Sequence, residues 1–133
     1  MDDIFVARLM SSTLYTANRD TLVEDAAQTM LDGDVGAVLV VDDDDHIEGI
    51  LTSTDFVGIV AASHPKAQTS VERYMTEDVV TTTAQVPIRD AADLMIEHGV
   101  HHLPVVDEDD RVIGMLSTRD IASYLSSEET PSP

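Results

Sequence analysis

The chain has 133 residues, 43% of them hydrophobic and only 4% aromatic, which suits one compact domain, or two very small ones sharing a core of Val, Ile, Leu, Met and Ala. Twenty-six Asp and Glu against seven Lys and Arg leave a net charge of −19, and such a surface repels nucleic-acid phosphates and anionic lipid alike. With no cysteine, disulfides, cysteine-held zinc or iron–sulfur centres and thiol nucleophiles are excluded.

In chain order, Met1-Asp2-Asp3-Ile4-Phe5 is acidic where a signal peptide would be basic and then apolar. A short extended piece, Leu14–Thr16, leads into an amphipathic helix that ends near Gly33. The longest apolar run, Val35 to Val41, falls far short of a membrane span, so a cytoplasmic protein with no membrane segment is expected. Within that run Ala37–Val41 reads as a strand. An acidic turn, Asp42–Asp45, joins it to a second strand, Ile47–Thr52, and β-branched runs on either side of turn residues make a hairpin. A further helix opens near Asp55. A polar connector containing His64-Pro65 follows.

The pattern then starts again. Val79–Thr81 is extended, and a helix with Pro87 at its start carries Ile88, Ala91, Ala92, Met95 and Ile96 on one face and ends near Gly99. His102–Val106, the turn Asp107–Asp110 and Val112–Ser117 form the second hairpin, and a last helix opens near Asp120. Shifted by 65 positions, the chain falls on itself without a gap: Val6, Arg8 and Met10 recur as Val71, Arg73 and Met75, and Asp25-Ala26-Ala27 as Asp90-Ala91-Ala92. Val40-Val41-Asp42 recurs as Val105-Val106-Asp107, and Gly49, Leu51 and Asp55 as Gly114, Leu116 and Asp120. With 17 identities in positions 6 to 55, the chain is a duplication. The expected fold class is α+β: two β-α-β-β-α copies, residues 5–63 and 71–125, with a linker at 64–70 and a disordered tail at 126–133. One copy alone would be marginal, so the two are expected to pack sheet to sheet about a pseudo-twofold axis.

Gly99-Val100-His101-His102-Leu103-Pro104-Val105-Val106-Asp107 and Val112-Ile113-Gly114-Met115-Leu116-Ser117-Thr118-Arg119-Asp120 resemble the strand motifs of the cystathionine-β-synthase (CBS) domain. A tandem pair of such domains is often called a Bateman module. The resemblance spans about residues 5 to 125. It implies a regulatory module, without catalysis, that binds AMP, ADP, ATP or S-adenosylmethionine in clefts between paired repeats, forms homodimers and modulates a protein target. The residues give that implication physical sense. Ser117, or Thr52 in the first copy, sits where a strand feeds a helix, so its hydroxyl and nearby N–H groups can face a phosphate. Asp120, or Asp55, can accept both hydroxyls of a ribose, and Arg119 can pair with phosphate. Val79, Val80, Thr81, Leu103 and Pro104 supply a slot for a flat base, with His101 and His102 assisting at the phosphate. The corresponding first-copy positions, Leu14, Thr16, Ala37, Val38, Thr52, Thr54 and Asp55, lack both the proline and the cation. The second-copy site is therefore the favoured one.

Other readings stand beside these. A hydroxyl residue followed three positions later by an acid is also a helix-capping pattern that needs no ligand. A ligand-independent dimerisation or scaffold module is the alternative function. His98, His101 and His102 could approach a metal only on one helix, which Gly99 interrupts. Counting from Asp42, a calcium loop would need Gly at position 47 and Glu at position 53, where Ile47 and Ser53 stand, so no metal site is expected. The methionines are expected to fill core. Phosphate-binding loops, nucleophile elbows and zinc-protease motifs are absent from the sequence. An excess of Asp with Lys66 as the single lysine points to a salt-rich, halophilic cytoplasm, where screening relieves carboxylate repulsion.

Overall fold

The computed structural model describes residues 4–62 and 69–128. Residues 63–68, which hold most of the expected linker, and 129–133 of the expected tail lie outside the described residues. The fold is α+β, with two three-stranded sheets. The elements run α1 (Val6–Leu9), β1 (Thr16–Ala17), α2 (Val23–Gly33), β2 (Ala37–Val41), β3 (Ile47–Thr52), α3 (Ser53–Ala61), a 3-10 turn (Val71–Arg73), β4 (Thr82–Thr83), α4 (Ile88–His98), β5 (His102–Val106), β6 (Val112–Ser117) and α5 (Thr118–Glu128). Ser126 to Glu128, assigned from sequence to the tail, continue α5.

The expected hairpins form in register. β2 pairs antiparallel with β3, and β5 with β6, each with a register shift at the equivalent pair, Val40/Val41 and Val105/Val106. The acidic turns are organised by their first aspartate. Asp42 Oδ1 accepts the N–H groups of Asp44 and His46, each at 2.9 Å, and Asp107 Oδ1 does the same for Asp109 and Arg111. The turns close through a left-handed residue, Asp45 at φ 65° and Asp110 at φ 61°, a conformation aspartate tolerates. The long helices also end alike, on a left-handed cap at Asp34 and Gly99, and the N–H of Val35 or Val100 reaches back to the carbonyl of Met30 or Met95 at 3.0 Å.

Two sequence expectations need correction. The leading strands begin later than Leu14–Thr16 and Val79–Thr81: β1 is Thr16–Ala17 and β4 is Thr82–Thr83, each parallel to the first hairpin strand of its sheet. On α4, Ile88, Ala91 and Met95 are buried, but Ile96 is 80% exposed. At 100° per residue it falls about 80° from Ile88, beyond the edge of the buried stripe.

The chain forms two compact units whose boundaries differ from those of the sequence copies. One unit comprises residues 15–79. Its core is Val23, Ala26, Val40, Leu51, Ile59, Val71 and Met75, so the leader of the second copy completes the first copy's core. Val71 is fully buried. The Val23 N–H, an orphan donor at the helix start, is bound by the Thr69 carbonyl at 2.9 Å, and the Val71 N–H by Thr21 at 2.8 Å. Met75 lies against Gly49, where an added Cβ would come within 2.6 Å of its sulfur, and Thr76 and Ile50 exchange two 2.9 Å hydrogen bonds.

The other unit comprises residues 4–14 and 80–128, and every one of these contacts recurs. Val6 is fully buried among Ile88, Ala91, Met95, Leu103, Val105 and Leu116. Ile4 caps the Ile88 N–H at 2.7 Å, Val86 accepts from Val6 at 2.9 Å, and Ser11 and Met115 exchange two 2.9 Å bonds. Met10 lies against Gly114 as Met75 does against Gly49. The two leaders are thus exchanged. The methionines Met10 and Met75 pack against glycine floors in the two sheets, the core-filling role expected of them.

Candidate functional site

The strand-to-helix junctions β6–α5 and β3–α3 carry the hydroxyl–acid pairs. At the first, Asp120 Oδ2 accepts the Ser117 N–H at 2.8 Å and the Ser117 Oγ–H at 3.0 Å, and the Asp120 N–H donates to Ser117 Oγ at 3.2 Å. At the second, Asp55 Oδ2 accepts the Thr52 N–H at 2.8 Å and its Oγ1–H at 3.2 Å, within a full capping box. In both copies one carboxylate oxygen therefore satisfies orphan groups of the helix start. A carboxylate has about four lone-pair positions. Capping at Oδ2 leaves Oδ1 of Asp120 without a partner among the described residues.

The surroundings of the two junctions differ. The carbonyls of Gly36 and His101 accept the N–H groups of Ser53 and Thr118 at 3.0 Å, which folds each β2 or β5 entry loop over the helix start. In the first copy Ser53 Oγ also donates to Gly36. In the second copy, His102 stands opposite Ser117 in the β5–β6 register, half-buried. Burial pushes its imidazole below the usual histidine range, the charge of neighbouring His101 adds to that, and Asp120 opposes it. Arg119 is exposed and makes no hydrogen bond, ion pair or ring contact among the described residues. Thr54 takes its place in the first copy.

The remaining sequence-assigned residues fall into two groups. Val79 and Thr81 are half-buried at the entrance to β4, His101 is exposed, and Leu14 and Thr16 are half-buried and exposed at the entrance to β1. Leu103, Pro104, Ala37 and Val38 are buried. Leu103 belongs to the core cluster and Val80 packs against it. What sequence reading missed is carried by backbone or by distant charges. The Gly36 and His101 carbonyls have no residue-type signature. Arg19 binds Glu48 at 3.2 Å, Glu72 at 3.0 Å and Glu77 at 3.8 Å, a cluster joined across more than fifty positions.

Asp42, Asp44 and His46 bring three potential ligand atoms within 4.8 Å of one another. Two backbone N–H groups already occupy Asp42 Oδ1, and the His46 N–H above all holds that carboxyl below the usual range. The grouping is the turn's own hydrogen-bonded geometry. Among the described residues no helix is long and apolar enough to cross a membrane.

Comparison with known proteins agrees with this architecture. A protein of 17.7 kDa from Acidianus ambivalens, described as uncharacterized, is 32% identical over 120 residues, 90% of this chain and 72% of that one. Homoserine O-acetyltransferase of Methanosalsum zhilinae and inosine-5'-monophosphate dehydrogenase of Halobacterium salinarum are 34% and 30% identical, over 91% and 90% of this chain. The match spans only 24% and 23% of those enzymes' lengths. Among solved structures, the CBS domain pair of protein MJ0100, in complex with 5'-methylthioadenosine and S-adenosyl-L-methionine, superposes with a TM-score of 0.86 at 25% identity, covering 92% of this chain and 99% of that one. The CBS-domain containing protein ATU1752 from Agrobacterium tumefaciens does so with a TM-score of 0.84 at 29% identity, over 92% and 99%. The CBS domain family model matches residues 6–62 and again 71–127. Two matched copies and two equivalent sheets lead to one conclusion: the chain belongs to the CBS-domain family, as a tandem pair.

Proposed function

We propose that this pair is a regulatory, non-catalytic module of a salt-rich cytoplasm that binds an adenosyl ligand at the β6–α5 junction and modulates a protein partner. The observation that carries the reading is the presence at that junction of an Asp120 carboxylate oxygen and an Arg119 guanidinium that have no partner among the described residues. Asp120 Oδ1 suits the two hydroxyls of a ribose, Arg119 a phosphate or carboxylate, and Val79 and Thr81 the edge of a base. His101 and His102 stand on the phosphate side. The solved pair that binds S-adenosylmethionine and 5'-methylthioadenosine supports the ligand class. The first-copy junction, with Thr54 in place of the cation, suits a less charged ligand or none.

A second reading, a dimerising scaffold without ligand, has its own support. Both caps are complete without one, and Leu31 and Ile96, 75% and 80% exposed, occupy equivalent positions on α2 and α4. Titration calorimetry in molar KCl with AMP, ADP, ATP, S-adenosylmethionine and NAD separates the two. A saturable signal is expected from one of them. For a nucleotide, Arg119→Gln should then weaken binding roughly ten- to hundredfold, the loss of a hydrogen bond to a charged group. Silence from all five on folded protein favours the scaffold.

A further inference from the structure

We propose that the exchanged leaders make residues 12–14 and 77–79 a pair of short mechanical links, so that displacing a leader in one unit moves the leading strand and ligand-site edge of the other. Ser11 is fixed by two hydrogen bonds to Met115, and the next fixed point is Tyr15, whose carbonyl accepts the Leu39 N–H at 3.0 Å. Between them lie Ser12, Thr13 and Leu14. The other crossing is the same 65 residues later. Thr76 is fixed by two bonds to Ile50, and Val80 packs against the core cluster that holds Leu103 and Val105. Between them lie Glu77, Asp78 and Val79, and Glu77 is further drawn to Arg19.

Three residues carry only about six soft torsions, the number an arbitrary rigid shift of one end consumes. With no torsion to spare, a shift of one end is taken up only by turning every residue of the link, including its last, Leu14 or Val79, which precedes the leading strand. Two such links, running in opposite senses between the same two units, close a ring and restrict the motion further. The last residues of the links, Leu14 and Val79, are those assigned to the ligand sites. A ligand that immobilises Val79 therefore takes freedom from the link and from the seat of Met75 on Gly49. Coupling of this kind needs no large structural change. The ligand's part in it rests on the reading proposed above, but the links themselves can be tested with no ligand present.

The test is hydrogen exchange on the full chain. Met75→Ala loosens the leader's seat in the unit of residues 15–79, and Arg19→Gln removes only the exposed ion pairs beside it. Either should speed exchange in the peptide covering residues 80–83 of the other unit by about threefold or more, as local opening spreads. A Gly-Gly-Ser insertion between Asp78 and Val79 should abolish that remote effect and leave the local one, over residues 47–52, in place. An unmoved rate over 80–83 in both seat variants, or a rate raised equally with the insertion present, overturns the proposal. Because no ligand enters the experiment, calorimetric silence and an unmoved exchange rate are separate results.

Discussion

The dual use proposed for Asp120 can be tested sharply, because one oxygen caps the helix and the other is the one proposed to meet the ligand. Asp120→Ala removes both functions. The cap should cost about 1 kcal/mol, within the usual range of roughly 0.5–2 for such groups, and a few degrees in melting temperature for a domain of this size. Ligand binding should vanish. Asp120→Asn separates the roles. Its single amide oxygen can replace Oδ2 at the Ser117 N–H, 2.8 Å away, which preserves the cap at an expense below about 1 kcal/mol for the lost charge at a helix N-terminus. The amide nitrogen then replaces Oδ1; it can only donate, so the two charge-assisted bonds from the ribose hydroxyls give way at best to two neutral ones in which the hydroxyl oxygens accept. Taking charged bonds at about 1.5–3 kcal/mol each and neutral ones at about 0.5–1.5, the difference is about 2–3 kcal/mol, or roughly 30- to 150-fold in affinity.

The assay pairs thermal melts with calorimetry, both in molar KCl. The repeat supplies a control: Asp55→Asn and Asp55→Ala alter the same cap in the first copy and should reproduce the stability changes while sparing second-site affinity. If Asp120→Asn binds with wild-type affinity while Asp120→Ala loses stability, the carboxylate is a cap alone and its assignment to the ribose is wrong.

Two further outcomes follow from particular contacts. Burial holds the His102 imidazole below the usual histidine range, so the unfolded chain binds the proton first; the stability it contributes is complete at neutral pH and declines as pH falls below the usual histidine range. A phosphate beside it would favour the protonated ring, so nucleotide affinity should rise as pH falls through the same window; His102→Gln should flatten both profiles, measured by denaturant melts and calorimetry across that range. Gly49→Ala would place a methyl 2.6 Å from the Met75 sulfur and 3.1 Å from the Thr76 carbonyl, and should destabilise by about 1–3 kcal/mol; a cost in urea melts that adds simply to that of Met75→Ala, with no coupling between the two, would disprove the contact.

Local features were legible in the residues because their causes are local. Gly99 marks a left-handed cap, Asp42 and Asp107 organise turns that only their own backbone needs, and the spacing of Ser117 and Asp120 is that of a helix start. The exchange of leaders was not legible, and the reason is the duplication itself. Val6-x-Arg8-x-Met10 and Val71-x-Arg73-x-Met75 are the same plug, and Gly49 and Gly114 are the same floor. Residue types alone cannot say which plug enters which seat. Whether Leu103 and Pro104 line a slot or only fill core was not legible for a related reason. All five residues of β2 are buried, and four of five in β5, so neither strand alternates, and an apolar run cannot distinguish a pocket wall from core. The cap was legible, but which oxygen it consumes is a matter of geometry.

The arginines show how the acidic composition bears on the site. A guanidinium in a chain of net charge −19 has many carboxylates to choose from. Arg19 takes three, while Arg8 and Arg73, equivalent in the repeat, lie over Tyr124 and Tyr74. Among the described residues Arg119 takes none, although Asp120 is its neighbour. Adjacent residues on a helix point about 100° apart and do not face each other, and the cap ties the Asp120 carboxylate to Ser117. In the site proposed above, an anion-binding guanidinium and a hydroxyl-accepting carboxylate would thus occupy one helix turn without neutralising one another. A molecule that engages both must carry an anionic group at a fixed distance from a pair of hydroxyl donors. A nucleoside phosphate has that constitution, and a bare phosphate or an uncharged nucleoside has only half of it. Affinity measured for AMP against adenosine and against inorganic phosphate should therefore exceed what either half supplies alone.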